Sequence, residues 1–268
     1  MTFSNCLKKT YIERVLKRFN MHSCTPRKAL IVKGDKLLKA QCLQNDEERR
    51  HMKMVPYSLV VGSLMYVQVC TRPDIAFAIG VLGRYLSGPG TSHWQSSKDH
   101  MLTYWRTNNL DIVGFCDANF EGCMDDKNFT IGYIFMMAGG AISWKSIKQT
   151  LIASSTMETK YVACYETTFN AMWLQNFISA LGVVDSFTRP LKLYCDNSTD
   201  VSFSRNIRST YHSKHIDVKF YFVKEKVVEG LISVEYMSTN NMLADSLTKG
   251  LPICVFQEHV SHMGLVKA

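Results

Sequence analysis

The feature that most limits what this chain can become is a change of hydrophobic period at Asn109. Before it, apolar residues recur at three- and four-residue intervals. After it come short β-branched and aromatic runs at 110–115 (LDIVGF), 130–137 (TIGYIFMM) and 141–145 (AISWK), separated by Gly, Asn and Asp. Side chains return to one helix face about every 3.6 residues but alternate across a strand, so the two parts call for different elements. Three consecutive strands predict an antiparallel meander. A long helix follows from Ser155 to about Leu181, with Val162, Tyr165, Phe169, Met172, Trp173 and Phe177 as its expected buried stripe. A strand ending at Cys195, a short helix after Asn197, a helix over 216–228, a strand at LISVEYM and a last helix near Asp245 complete the order β-β-β-α-β-α-α-β-α. This is an α/β arrangement.

Upstream, Tyr11, Ile12, Val15, Leu16 and Phe19 alternate with Lys8, Lys9, Arg14, Lys17 and Arg18, which predicts a basic amphipathic helix. Residues 20–54 read as loop and linker. The apolar stretch 57–86 reads as two buried helices broken at Thr71 to Pro73, because proline disfavours helix in the residue before it. A third helix is expected over 93–105. The boundary falls between a helical part, 1–108, and a sheet-containing part, 109–268.

Charge is distributed unevenly. Residues 1–54 hold 13 of the 31 Lys and Arg but 5 of the 23 Asp and Glu, leaving 18 and 18 for the rest, so the whole net charge of +8 lies at one end. A polyanion would be drawn there by phosphate contacts, although a solvated helix face accounts for the charge equally well. The best apolar run, 60–70, is shorter than the roughly 20 residues a membrane span needs and contains Ser63 and Gln68. The start, MTFSNCLKK, has no apolar signal core. Nine cysteines without a CxxC pair read as reduced thiols, which places the chain inside the cell, in cytoplasm or nucleus.

Four acids fall at the ends of the expected elements: Asp117 beyond the first strand, Glu158 in the first turn of the long helix, Asp196 beyond the fourth strand, and Asp245 before the last helix. Gathered carboxylates repel one another and persist when cations neutralise them. Hard oxygen donors select Mg²⁺ or Mn²⁺ over Zn²⁺. Two such ions about 4 Å apart suit in-line phosphoryl displacement. Each acid also has a plain structural reading. Glu158 completes a capping box with Ser155, Asp245 caps the last helix, and Asp117 and Asp196 are turn residues. Their joint placement favours the chemical reading.

The segments GFCDANFEG, ISWKS, SSTMETKY, LYCDNS, KHIDVKFYFVKEKV and ADSLTKGLP resemble the RNase H domain of copia-type LTR retrotransposon Pol polyproteins, TNT-type elements among them. KKTYIERVLKRFNM and the run VPYSLVVGSLMYVQVCTRPDIAFAIGVLGRYLSGPGTSHW resemble the part of that polyprotein between the polymerase palm and RNase H. The resemblance covers nearly the whole chain. It implies an RNase H-like fold, a mixed five-stranded sheet flanked by helices, behind a thumb- or connection-like helical remnant of reverse transcriptase. It further implies a two-metal endoribonuclease that cleaves the RNA strand of RNA·DNA hybrids, with the hybrid and the polymerase portion as partners and no membrane. Under this resemblance the family's metal-binding acids fall on Asp117, Glu158, Asp196 and Asp245, holding two Mg²⁺ ions, with Mn²⁺ as the alternative.

The chain departs from the family pattern in several places. Asn119 and Phe120 end the first motif where the family has Asp and Trp, and Lys160 replaces an acid two residues after Glu158. Only residues 106–109 join helix to strand, where the family carries a longer stretch. His215, in the family's KHID signature, is open to two readings: helping to protonate or release the leaving strand, or a structural or substrate-positioning role. His212, Lys214 and Lys219 are candidate phosphate contacts. CMDD at 123–126 mimics a polymerase aspartate pair but lies between two strands of the RNase H segment, so no polymerase role is expected and no palm is present. The alternatives are an inactive remnant that keeps nucleic-acid binding, and a related nuclease that cuts duplex DNA.

Overall fold

The structure, a computed structural model, describes residues 14, 17, 18, 29, 31–35, 42, 50, 52, 55–87, 89, 101–102, 111–119, 129–149, 155–181, 190–197 and 214–266. In chain order the elements are helices α1 (Tyr57–Thr71) and α2 (Ala76–Gly83), strands β1 (Met101–Leu102), β2 (Val113–Asn119), β3 (Thr130–Met137) and β4 (Gly140–Lys148), and helix α3 (Thr156–Ala180). Strand β5 (Leu191–Cys195), helix α4 (Lys214–Val228), strand β6 (Ile232–Tyr236), helix α5 (Ile253–His262) and strand β7 (Leu265–Val266) follow. Two compact units emerge, Met1–Tyr104 with Gly250–Ala268, and Trp105–Lys249.

The second unit is built on a mixed five-stranded sheet of order β4-β3-β2-β5-β6. Strands β2, β3 and β4 form the expected antiparallel meander. The β3–β4 connection is two residues, Ala138 and Gly139, both at positive φ (55° and 73°). That backbone matches the right-handed twist of the strands it joins. Strands β5 and β6 add in parallel to β2. Parallel neighbours need a crossover, and α3 and α4 provide it. The inner strands β2 and β3 are more buried than the edge strands, with Phe115, Ile131, Ile134 and Phe135 in the core beside Leu193 of β5.

Helix α3 starts where Ser155 accepts a hydrogen bond from the Glu158 backbone N–H at 3.2 Å. Its buried face runs through Val162, Thr167, Ala171, Leu174 and Ile178. The aromatic stripe expected to be buried is largely outside: Phe169, Trp173 and Phe177 are exposed, and Trp173 stacks on Phe177 with centroids 5.2 Å apart. Each four-residue step on a helix overshoots a full turn by about 40°, so a stripe kept at that spacing drifts off the core face, whereas mixed steps of three and four stay on it. Helix α4 packs on α3 through Tyr161 and Phe220, stacked at 5.4 Å.

In the first unit the break between α1 and α2 falls where the Arg-Pro pair predicts it, as a 3-10 turn over Pro73–Ile75. Arg72 donates two hydrogen bonds of 2.8 Å to Asp74, with both side chains buried. Tyr57 at the start of α1 donates to the Leu82 carbonyl at the end of α2, 2.9 Å away, over a core that includes Val61, Val67, Ile75 and Ile79. Burial pushes the Tyr57 phenol up to about 12.

Three readings of the chain change here. Within the segment expected as a third helix, Met101 and Leu102 form a strand paired antiparallel with Val266 and Leu265. The last helix begins at Ile253, after Pro252, and Asp245 instead lies in a 3-10 turn over Leu243–Leu247. The compact sheet unit ends at Lys249, and α5 and β7 group with the first unit because β7 takes its partner from β1. In the expected basic helix, Arg14, Lys17 and Arg18 are helical and exposed; its other residues lie outside those described. The short helix after Asn197, Phe120, His212, the 106–109 junction and the 123–126 loop also lie outside them. Among the described residues no helix is long and apolar enough to cross a membrane. The six described cysteines are free thiols.

Candidate metal centre at the end of the sheet

Strand pairing explains how residues far apart in sequence meet. Cys116 on β2 lies opposite Cys195 on β5, so Asp117, which lies inside β2 and not beyond it as expected, stands beside Asp196, the first residue past β5. Ligand sites in such sheets gather where parallel strands end. Asp245 reaches the same place from the 3-10 turn. Asp117, Asp196 and Asp245 each offer a carboxylate oxygen, and these oxygens lie within 4.8 Å of one another. Asp117 and Asp245 are 2% and 1% exposed, while Asp196 is half-buried.

Glu158, expected as the fourth member, is buried in the first turn of α3 but lies outside that group. The α3 side chain that does reach the cluster is Lys160. Its Nζ is 2.5 Å from Asp196 Oδ1 and 3.9 Å from Asp117 Oδ1. Residues 158 and 160 leave the helix roughly 200° apart, so the two side chains set out in different directions.

A second ammonium enters from the other side. Lys249 Nζ lies 2.8 Å from Asp245 Oδ2 and 3.7 Å from Asp117 Oδ2. The Thr248 hydroxyl donates to Asp117 Oδ2 at 2.5 Å, and Asn119 Nδ2 donates to the Thr248 carbonyl at 3.4 Å. The end of β2 is thereby fastened to the chain that follows Asp245. Gly132 permits the close seating: a Cβ there would stand 2.7 Å from Leu247 Cβ and 2.9 Å from Thr248 Cγ2.

Burial, then the neighbouring charge of Asp117, push Asp245 up to about 7, against the opposing pull of Lys249. Burial lowers both lysines, but hydrogen bonding and charge from the aspartates outweigh it, and both are raised. Asp117 Oδ1 and Asp245 Oδ1 are buried with no hydrogen-bond partner among the described residues. Orphaned carboxylate oxygens of this kind suit a hard divalent cation. The three aspartates therefore fit such an ion, although two ammonium groups share the space.

Sequence reasoning passed over Thr248 and Lys249. The four-residue spacing of Asp245 and Lys249 was the available signal, since it brings two side chains together on a helical turn. Lys219, a candidate phosphate contact, lies 3.5 Å from Glu166 Oε1 and 4.6 Å from the Tyr165 ring centre. The side chains of Lys214 and His215 lie outside the described residues.

The mixed five-stranded sheet of order β4-β3-β2-β5-β6, flanked by helices, is the RNase H-like arrangement that the sequence led one to expect. The chain is 41% identical over 254 residues to the retrovirus-related Pol polyprotein from transposon TNT 1-94 of Nicotiana tabacum, covering 90% of this chain and 19% of that protein. It is 32% identical over 223 residues to the Pol polyprotein from transposon RE2 of Arabidopsis thaliana, covering 79% of this chain and 15% of that protein. It belongs to the copia-type retrotransposon Pol polyprotein family, and spans under a fifth of the length of these two relatives. Among solved structures it is similar to LC11-RNase H1 in complex with RNA/DNA hybrid, with a TM-score of 0.39 and 13% identity over 52% of this chain and 94% of that one. No family model matches.

Proposed function

We propose that the sheet-containing unit is a ribonuclease acting on the RNA strand of RNA·DNA hybrids, with Asp117, Asp196 and Asp245 as its divalent-metal centre. The observation that carries this reading is the convergence of those three carboxylates within 4.8 Å, two of them with orphaned buried oxygens. Mg²⁺ or Mn²⁺, as a pair of ions, would supply an activated water and positive charge against the phosphoryl oxygens. The chain's own part is positional: Thr248 fixes the Asp117 carboxylate and Lys249 fixes Asp245. Glu158 is assigned to the start of α3 and not to the centre. Hybrid shape, phosphates and RNA 2′-hydroxyls, rather than bases, would be read. The helical first unit is proposed as the connection-like part of the polyprotein, with the polymerase portion as partner.

A second reading, hybrid binding without turnover, is favoured by one observation: two ammonium groups lie within 4 Å of the same carboxylates. Hydrolysis of a labelled hybrid with Mg²⁺ or Mn²⁺, compared with Asp196→Asn, separates the readings. Cleavage lost in the variant supports the nuclease, and equal cleavage by both proteins overturns the aspartate assignment. Binding with no metal-dependent product selects the second reading. Cleavage of duplex DNA in place of hybrid contradicts the proposed substrate.

A further inference from the structure

We infer that Lys160 is a built-in counter-cation standing where a divalent ion would sit between Asp196 and Asp117, so that the residue at 160 sets the metal affinity of the centre. This rests on the reading of the three aspartates as a metal centre and concerns what competes for it.

Lys160 bridges two carboxylates from adjacent parallel strands, at 2.5 Å from Asp196 Oδ1 and 3.9 Å from Asp117 Oδ1, and its side chain is 24% exposed. A lysine on a helix surface ordinarily carries its charge into water on a flexible stem. This one turns its charge inward. The buried acids need compensation whether or not metal is present, because an unpaired buried charge is strongly unfavourable. Three aspartates against Lys160 and Lys249 leave one formal negative charge, so most of the acids' charge is already compensated within the fold and a divalent ion meets a weakened field.

The two lysines are not equivalent. Lys249 is tied to Asp245 four residues earlier in its own turn, whereas Lys160 reaches across from α3 to β2 and β5. Removing the Lys160 charge leaves the Asp245 contact in place and frees Asp196 Oδ1 and Asp117 Oδ1. The chain should therefore hold its fold without metal, and entry of an ion should expel the Lys160 ammonium.

The test is Mn²⁺ binding to the full chain, read from the paramagnetic resonance of free Mn²⁺, in the wild type, Lys160→Gln, and Lys160→Gln with Asp196→Asn. Lys160→Gln should bind at least about tenfold tighter, the scale of one unit charge at this range. Asp196→Asn should abolish the gain, and Mn²⁺ should raise the melting temperature of Lys160→Gln more than that of the wild type. Equal Mn²⁺ affinity in wild type and Lys160→Gln overturns the role of Lys160 and leaves the metal-centre reading standing. Mn²⁺ bound by neither protein overturns that reading, and this inference with it. Should Lys160→Gln fail to fold, acetylation of Lys160 in the wild type, read by peptide mass, decides. Saturating Mn²⁺ should raise its labelling several-fold; unchanged labelling overturns the inference.

Discussion

Gly132 lies directly opposite Asp117 in the β2–β3 ladder, and the missing side chain at 132 is what lets the turn bearing Asp245 close over it. Gly132→Ala would place a methyl group 2.7 Å from Leu247 Cβ and 3.2 Å from the Ala244 carbonyl oxygen. The turn must move, at a cost of about 1–3 kcal/mol. Chemical denaturation should show that loss, and Mn²⁺ affinity should fall with it. An unchanged midpoint together with unchanged affinity would remove Gly132 from the account.

Asp245 gives the centre a pH signature. Its folded value of about 7 stands above the ordinary 3.8, so between roughly pH 4 and 7 the folded state holds a proton that the unfolded state has lost. Its contribution is full below that window and fades as pH rises through it. Asp245→Asn, which cannot ionise, should gain stability relative to wild type on going from pH 5 to pH 8 in metal-free buffer. A relative loss over that interval contradicts the assigned direction.

The first unit depends on the buried fork between Arg72 and Asp74. Removing one partner strands the other charge, so Arg72→Ala or Asp74→Ala should each cost about 3–5 kcal/mol. Replacing both with apolar residues of similar size should cost less than either single change. Denaturant midpoints of the three variants check this ordering.

Tyr57 ties α1 to α2 through its hydroxyl. Tyr57→Phe should lose about 1 kcal/mol, the usual net value of such a bond. Because burial raises the phenol to about 12, the wild type should also weaken between pH 10 and 12, where an exposed tyrosine would already ionise. The Phe variant should lack this residue's share of the alkaline decline, and identical profiles for the two proteins would contradict it.

The sheet was legible because its signals are local. Short β-branched and aromatic runs mark β2, β3 and β4, and register brings Asp117, inside β2, beside Asp196, the first residue past β5. What stayed hidden was angular or distant. A motif puts Glu158 and Lys160 two residues apart without saying which faces the strands, and the structure turns Lys160 inward. Trp173 and Phe177 look like core residues by type, yet their spacing carries them round to solvent. Strand β1 offers just two residues and finds its partner near the far end of the chain, so no local period announces it. Asp245 was recognised by its neighbours in sequence, but its place in a 3-10 turn and not at a helix cap follows from packing against the Gly132 gap.

The three-aspartate metal centre is tested by an anomalous-scattering map from crystals of the Lys160→Gln variant soaked in Mn²⁺. Density is expected at bonding distance from oxygens of Asp117, Asp196 and Asp245 together. Ordered carboxylates at that place with no anomalous density among them would contradict it.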